Sequence, residues 1–304
     1  MPYIFNSFMN GSVNPGRERA KYVVAVVLFG TIGSLLRLVS LPSELVAMCR
    51  GLIGSVFILL YLARRRQKPD WRAIRKNARW LLLSGVLLGV NWIFLFAAYM
   101  ETTVAIASLC NYIAPVLVIV AAPLLLREKL NRKKLPCVFA ALAGIVLVSG
   151  VGKGERGSPL GVALALGAAV CFANIVLCNR KLRDISALDR SFVQLALSAV
   201  TIFPYVLFRN WGAALQFDTQ SVLIVLLLGA VHTCVAYCFY FSGMGSLPVQ
   251  TVAVLGYLEP VVSVLCSALF LREPLSGAGW LGAVLILAAA VVSELIPDGE
   301  ESAA

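Results

Sequence analysis

Ser108-Leu109-Cys110-Asn111-Tyr112-Ile113-Ala114-Pro115, running on to LLLREKL at 124–130, has a counterpart later in the chain. It is Val252-Ala253-Val254-Leu255-Gly256-Tyr257-Leu258-Glu259-Pro260, running on to LFLREPL at 269–275. Tyr112, Pro115, Arg127 and Glu128 stand against Tyr257, Pro260, Arg272 and Glu273, each pair 145 residues apart. In both copies the proline precedes the Arg-Glu pair by roughly 18 Å of helix at 1.5 Å per residue, about half a bilayer. Proline removes a backbone donor and clashes with the preceding turn, so both helices are expected to bend or break near mid-membrane. A matched pair of Pro-interrupted apolar segments points to a transporter binding site, and a simple packing kink is the alternative.

Working outward, 60% apolar and 13% charged residues with a mean hydropathy of +0.88 exclude an ordinary soluble domain. Ten apolar spans are read at 21–39, 44–63, 79–100, 103–126, 132–151, 159–179, 190–208, 219–243, 248–271 and 276–296. The net charge of +11 lies between the spans, as topology signals do, so nucleic acid is not indicated. With the N-terminus inside, twenty Lys and Arg fall on the cytoplasmic side and four on the other, which makes both termini cytoplasmic. Residues 1–20 read as a disordered cytoplasmic tail and 297–304 as a second tail. The halves 21–151 and 159–296 are two repeats. Five spans per repeat is an odd number, so the repeats must be inverted, the arrangement used for alternating access.

The eight cysteines lie in apolar segments, form no CxxC and meet a single histidine, so neither a disulfide framework nor a zinc site is indicated. No phosphate-binding loop or other cofactor motif occurs. No GxSxG, HExxH or catalytic carboxylate pair supports a membrane enzyme, and a receptor or lipid-handling bundle is the other alternative.

Ten spans in two halves, the LREKL and LREPL endings, the mid-helix prolines, Arg50 and the small-residue run at 161–173 resemble the EamA-type drug/metabolite transporters. The resemblance covers residues 21–296. It implies an all-α membrane protein, a ten-helix basket of two inverted five-helix repeats around a central cavity. It also implies export or exchange of small metabolites such as amino acids across a bacterial plasma membrane.

Polar residues recur at helical spacing on several spans, and in lipid such faces turn inward. Asn91, Asn111, Tyr112, Asn174, Tyr237, Tyr240 and Tyr257 are the candidate substrate contacts, with interhelical hydrogen bonding as the alternative. Glu259, next to Pro260, stands where a charge costs at least about 3 kcal/mol. Burial favours the neutral form of a carboxyl, which makes Glu259 a candidate proton carrier. His232 is a candidate for the same role or a packing histidine. Arg50 cannot lose its proton, so it holds a substrate anion, snorkels, or pairs with Glu44 or another carboxylate. Gly85 and Gly89 read as a packing GxxxG. The partners implied are a metabolite, protons as a coupling ion, and lipid.

Overall fold

The apolar runs become helices where a short polar side chain can take up a free backbone donor of the first turn. Ser158 Oγ accepts from Gly161 N at 3.3 Å, Ser186 Oγ from Asp189 N at 3.0 Å and Ser276 Oγ from Gly279 N at 3.1 Å. Thr103 Oγ1 does the same for Ile106 N at 3.2 Å. The structure, a computed structural model, describes residues 15–114, 117–118, 133, 135–149, 158–211, 217–246, 255–256, 258–273 and 275–296.

Among these residues span 1 is helical over Pro15–Leu36, span 2 over Ser43–Arg64, span 3 over Ala78–Glu101 and span 4 over Val104–Asn111. Span 5 is helical over Leu135–Ser149, span 6 over Pro159–Arg180 and span 7 over Ala187–Arg209. Span 8 joins Thr219–Leu227, a π-helical segment Leu228–Val235 and Ala236–Ser246; span 9 covers Leu258–Phe270 and span 10 Gly277–Leu295. Six of these helices, in spans 1, 2, 3, 6, 7 and 8, are each long and apolar enough to cross a bilayer. The other four are shorter apolar helices in the places expected of spans 4, 5, 9 and 10.

Two features differ from the sequence reading. Span 1 begins at Pro15, so residues 15–20 are helical rather than part of a disordered tail. Proline suits a helix's first position, and Glu18, ion-paired with Lys21 at 2.6 Å, accepts from Ser242 Oγ of span 8 at 2.7 Å. Span 8 carries a π-helical segment that no periodicity announced. The expected tails at 1–14 and 297–304, Pro115, Tyr257 and the 124–130 motif lie outside the described residues. Span 4's helix ends at Asn111, where Tyr112 N bonds Ser108 O at 3.0 Å and Leu109 O at 3.2 Å, a tightened last turn. Pro260 stands in the first turn of span 9, where no intrahelical donor is needed.

The helix pairing shows how the halves relate. Span 1 packs on spans 8 and 9, and span 6, its repeat mate, packs on spans 3 and 4. Span 2 packs on 7 and 8, span 7 on 2 and 3, while 4 meets 9 and 5 meets 10. Exchanging the halves maps this set of pairings onto itself, as a pseudo-twofold axis requires. Mates run antiparallel: Ser108 meets Ser263, and four residues on Tyr112 meets Glu259, four residues back. The repeats are therefore inverted, with their axis in the membrane plane. Close approach is local and glycine-dependent. A Cβ on Gly85 would stand 2.6 Å from Leu197 Cβ, and one on Gly89 would stand 2.9 Å from Ser198 O, so the GxxxG seats span 3 on span 7.

Both ends of the bundle are tied by loop-to-loop contacts. At one end the 1–2 and 7–8 loops meet, with Ser40 Oγ donating to Asp218 Oδ2 at 2.5 Å and Ser40 N to Ser221 Oγ at 2.9 Å. At the other the 2–3 and 6–7 loops meet. There Asn77 Nδ2 donates to Arg183 O at 2.8 Å, Arg183 N donates to Asn77 Oδ1 at 2.9 Å, and Lys76 pairs with Asp184 at 2.7 Å. These loop pairs are repeat mates.

The second Arg-Glu motif has a structural job. Arg272 takes a left-handed φ of 54°, and Glu273 N bonds back to Ser267 O at 3.1 Å, closing the helix end. This turns the Glu273 carboxylate inward. Its Oε1 lies 3.5 Å from Arg37 Nη2, and its Oε2 accepts from Ser267 Oγ at 3.0 Å and Val104 N at 3.4 Å. Arg37 also donates to Thr102 O at 2.6 Å, so spans 1, 3, 4 and 9 are joined at one point.

Candidate functional site

The antiparallel contact of spans 4 and 9 carries polar groups on its inner face. Ser108 Oγ and Ser263 Oγ are 2.6 Å apart, and Tyr99 Oη lies 3.4 Å from Ser108 Oγ. Tyr112 Oη stands 2.8 Å from Gly256 O and 3.0 Å from Glu259 Oε2. A carbonyl and a carboxylate of span 9 thus compete for one phenolic proton of span 4. Asn111 Oδ1 is buried without a hydrogen-bond partner. A buried amide oxygen left so is an unmet acceptor in a cavity wall.

These groups enclose a small space lined by Phe29, Gly30, Tyr99, Ser108, Asn111, Tyr112, Glu259 and Ser263. It has room for about one water molecule. An aromatic wall stands beside it. Tyr22 stacks on Tyr240 at 5.1 Å between centroids, and Phe29 meets Tyr237 edge-on at 5.4 Å and Tyr240 at 5.7 Å.

A second polar group lies where spans 1, 2, 3 and 8 meet. Arg50 is 4% exposed; its Nε donates to Thr233 Oγ1 at 2.7 Å, and its guanidinium lies 4.6 Å from the Trp92 ring centre. The π-helical segment sets that contact, because Thr233 Oγ1 donates its own proton to Leu228 O, five residues back, at 2.9 Å. His232, on the same segment, lies 3.0 Å from Thr31 Oγ1.

Of the residues singled out from sequence, Asn111, Tyr112 and Glu259 line the cavity, with Tyr237 and Tyr240 in the adjacent wall. Asn91 is not brought there: its Nδ2 donates to Ala168 O at 2.8 Å and joins span 3 to span 6. Asn174 donates to Val170 O of its own helix at 2.8 Å. Arg50 pairs with neither Glu44 nor the interface; Glu44 meets Asn210 at 3.3 Å and Arg209 at 4.0 Å instead. Tyr99, Ser263, Phe29 and Trp92 were not singled out. Their signal was only apolar or small-residue context, and it took the tertiary contact to make them neighbours. No group of three or more metal-ligating side chains occurs among the described residues.

Comparison with known proteins agrees with the duplicated architecture. A transporter of Bacillus subtilis called YxxF is 27% identical over 82% of this chain and 80% of its own length. PecM of Dickeya dadantii is 28% identical over 83% of this chain and 84% of its own. RarD of Streptomyces exfoliatus is 30% identical over 77% and 73%, respectively. A crystal structure superposes with a TM-score of 0.64 at 21% identity, covering 91% of this chain and 97% of that one, which is likeness of fold. The EamA-like transporter family matches twice, at residues 21–150 and 159–294, once in each half. The chain therefore belongs to the EamA-like transporter family, a membrane transporter of the drug/metabolite superfamily.

Proposed function

We propose that the chain is a secondary-active exporter or exchanger of small organic metabolites, amino acids among them, working by alternating access of the two inverted repeats. The observation that supports this most is the small polar cavity at the antiparallel meeting of spans 4 and 9. Asn111, Tyr112, Tyr237, Tyr240 and Tyr257 would receive the solute there, offering amide and phenol hydrogen bonds beside ring surfaces. Asn91 and Asn174, also expected to touch it, are left out of this set because Asn91 joins span 3 to span 6 and Asn174 bonds its own helix. The lysine and arginine bias supports both termini in the cytoplasm of a bacterial cell.

Glu259 is the proposed proton carrier. When protonated it can donate to Tyr112 Oη, freeing the Tyr112 proton for Gly256 O. When ionised it takes that proton itself, and Gly256 O loses the donor. Protonation would thus alter a contact across the break between spans 4 and 9, the region that alternating access must move. His232, held by Thr31, has the weaker claim to this role.

The test is radiolabelled amino acid flux in proteoliposomes with an imposed pH gradient. Glu259→Gln is expected to abolish uphill transport while sparing downhill exchange. Equal uphill rates in the native chain and the variant would remove Glu259 from the role. No flux of any solute would favour a non-transporting bundle.

A further inference from the structure

Arg50 is a permanent cation inside the bundle, and the protein gives it an unusual set of neighbours. A guanidinium carries five donors in a planar fork. Its Nε is used by Thr233 at 2.7 Å, and one face is covered by Trp92 at 4.6 Å, with Phe96 at 6.0 Å. The ion pairs among the described residues join Glu18 to Lys21, Glu273 to Arg37, Asp184 to Lys76 and Glu44 to Arg209, and none includes Arg50. Glu259 acts on Arg50 electrostatically without pairing with it, and Tyr99 and Tyr237 interact with both charges.

Such a cation, 4% exposed, has a carboxylate within electrostatic reach at Glu259 but no ion pair among the described residues, which leaves its terminal donors for another anion. The site is instead held ready. Thr233 spends its proton on Leu228 O across the π-helical segment, so its lone pair fixes Nε, while Trp92 fixes the plane. A fork fixed at Nε and on one face presents its terminal donors edge-on, the geometry that matches a planar two-oxygen anion. One unpaired positive charge balances one negative charge, which favours a carboxylate over a doubly charged phosphate.

We infer that the transported solute carries a carboxylate, and that this group pairs with Arg50 above Trp92 where spans 2, 3 and 8 meet. The inference rests on the transporter reading and names its substrate class. Solutes lacking the anion, carboxamides and simple amines among them, would be discriminated against because they leave Arg50 without a counter-charge.

The test uses the full chain purified in detergent, with melting temperature as the readout. Probes are the twenty L-amino acids and small hydroxy and keto acids, each against its own carboxamide, with inorganic phosphate as a separate arm. At least one acid is expected to raise the melting temperature, with its carboxamide binding at least about tenfold more weakly. Arg50→Gln should abolish the preference for acid over amide, and Arg50→Lys should restore only part of it, since lysine has no fork. Equal binding of acid and amide, no stabilising acid, phosphate outcompeting every carboxylate, or an unchanged preference in Arg50→Gln would each overturn the inference. Should Arg50→Gln not fold, the acid–amide comparison on the native chain decides the matter. Flux assays separate the two readings. Arg50-dependent acid binding without flux sinks the transporter and leaves this site standing, whereas flux of a neutral solute with no acid preference does the reverse.

Discussion

Replacing Glu273 with alanine tests the claim that the second Arg-Glu motif is a knot at one end of the bundle. The change removes an acceptor for Ser267 Oγ at 3.0 Å, a longer one for Val104 N at 3.4 Å, and the counter-charge of Arg37 at 3.5 Å. A hydrogen bond to a charged group contributes about 1.5–3 kcal/mol, and the 3.4 Å bond is at the weak end of that range. Arg37 is 27% exposed at its side chain, so its ion pair is taken at about 1 kcal/mol. Together these give a loss of about 3 kcal/mol, since the contacts share one carboxylate and do not add fully. Glu273→Gln keeps a neutral acceptor for Ser267 and Val104, and should cost about 1 kcal/mol. Denaturant or thermal unfolding of the purified chain measures both, and a cycle with Arg37→Met isolates the pair. Equal costs for alanine and glutamine, or no coupling between positions 37 and 273, would refute the reasoning.

Four further outcomes are expected. Asn91→Ala should destabilise by about 0.6–1 kcal/mol through loss of the span 3–span 6 bond, with solute affinity unchanged in a binding titration. Gly30→Ala should be poorly tolerated, costing about 1–3 kcal/mol of overpacking, because its Cβ would stand 2.6 Å from Glu259 O; unfolding of the variant checks this. Asp184 is held below the usual aspartate range by the hydrogen bond and charge of Lys76, and Asp218 by hydrogen bonds from Ser40 and Ser221. Their stabilising effect is therefore present above about pH 4, the unfolded value, and is lost as pH falls through the lower folded values. Melting curves between pH 2 and 5 should show a smaller loss of stability on acidification in Asp184→Asn and Asp218→Asn than in the native chain.

Much of the architecture was legible because a bilayer narrows the choices. Apolar length located the spans, and the offset between Tyr112 and Tyr257, carried through to Glu128 and Glu273, disclosed the duplication. An odd span count then forced the inversion that the Ser108–Ser263 and Tyr112–Glu259 contacts display. The site was legible only where the chemistry was costly. Glu259 and Arg50 stood out because charge in lipid needs a reason. Asn91 and Asn174 looked equivalent to Asn111 in sequence, yet they bond a neighbouring helix and their own helix, since an amide cannot announce which carbonyl it will meet. The π-helical segment at 228–235 was invisible because its Thr233 and Gly229 meet Arg50 and Ile53 of span 2, contacts that local periodicity does not record. Trp92 and Tyr99 read as ordinary apolar positions until folding set them beside charges.

The loop ties at the bundle's two ends are related by the pseudo-twofold rotation, but their chemistry is not the same. One uses Ser40 hydroxyl and amide groups on Asp218 and Ser221; the other uses an amide pair at Asn77 and Arg183 with a lysine-carboxylate bridge. Under the alternating-access cycle proposed above, the balance between the two openings would be set by such small inequalities. Salt, which weakens an exposed Lys-Asp bridge more than a short serine-carboxylate bond, should therefore act as a thumb on that balance without touching the proposed solute site.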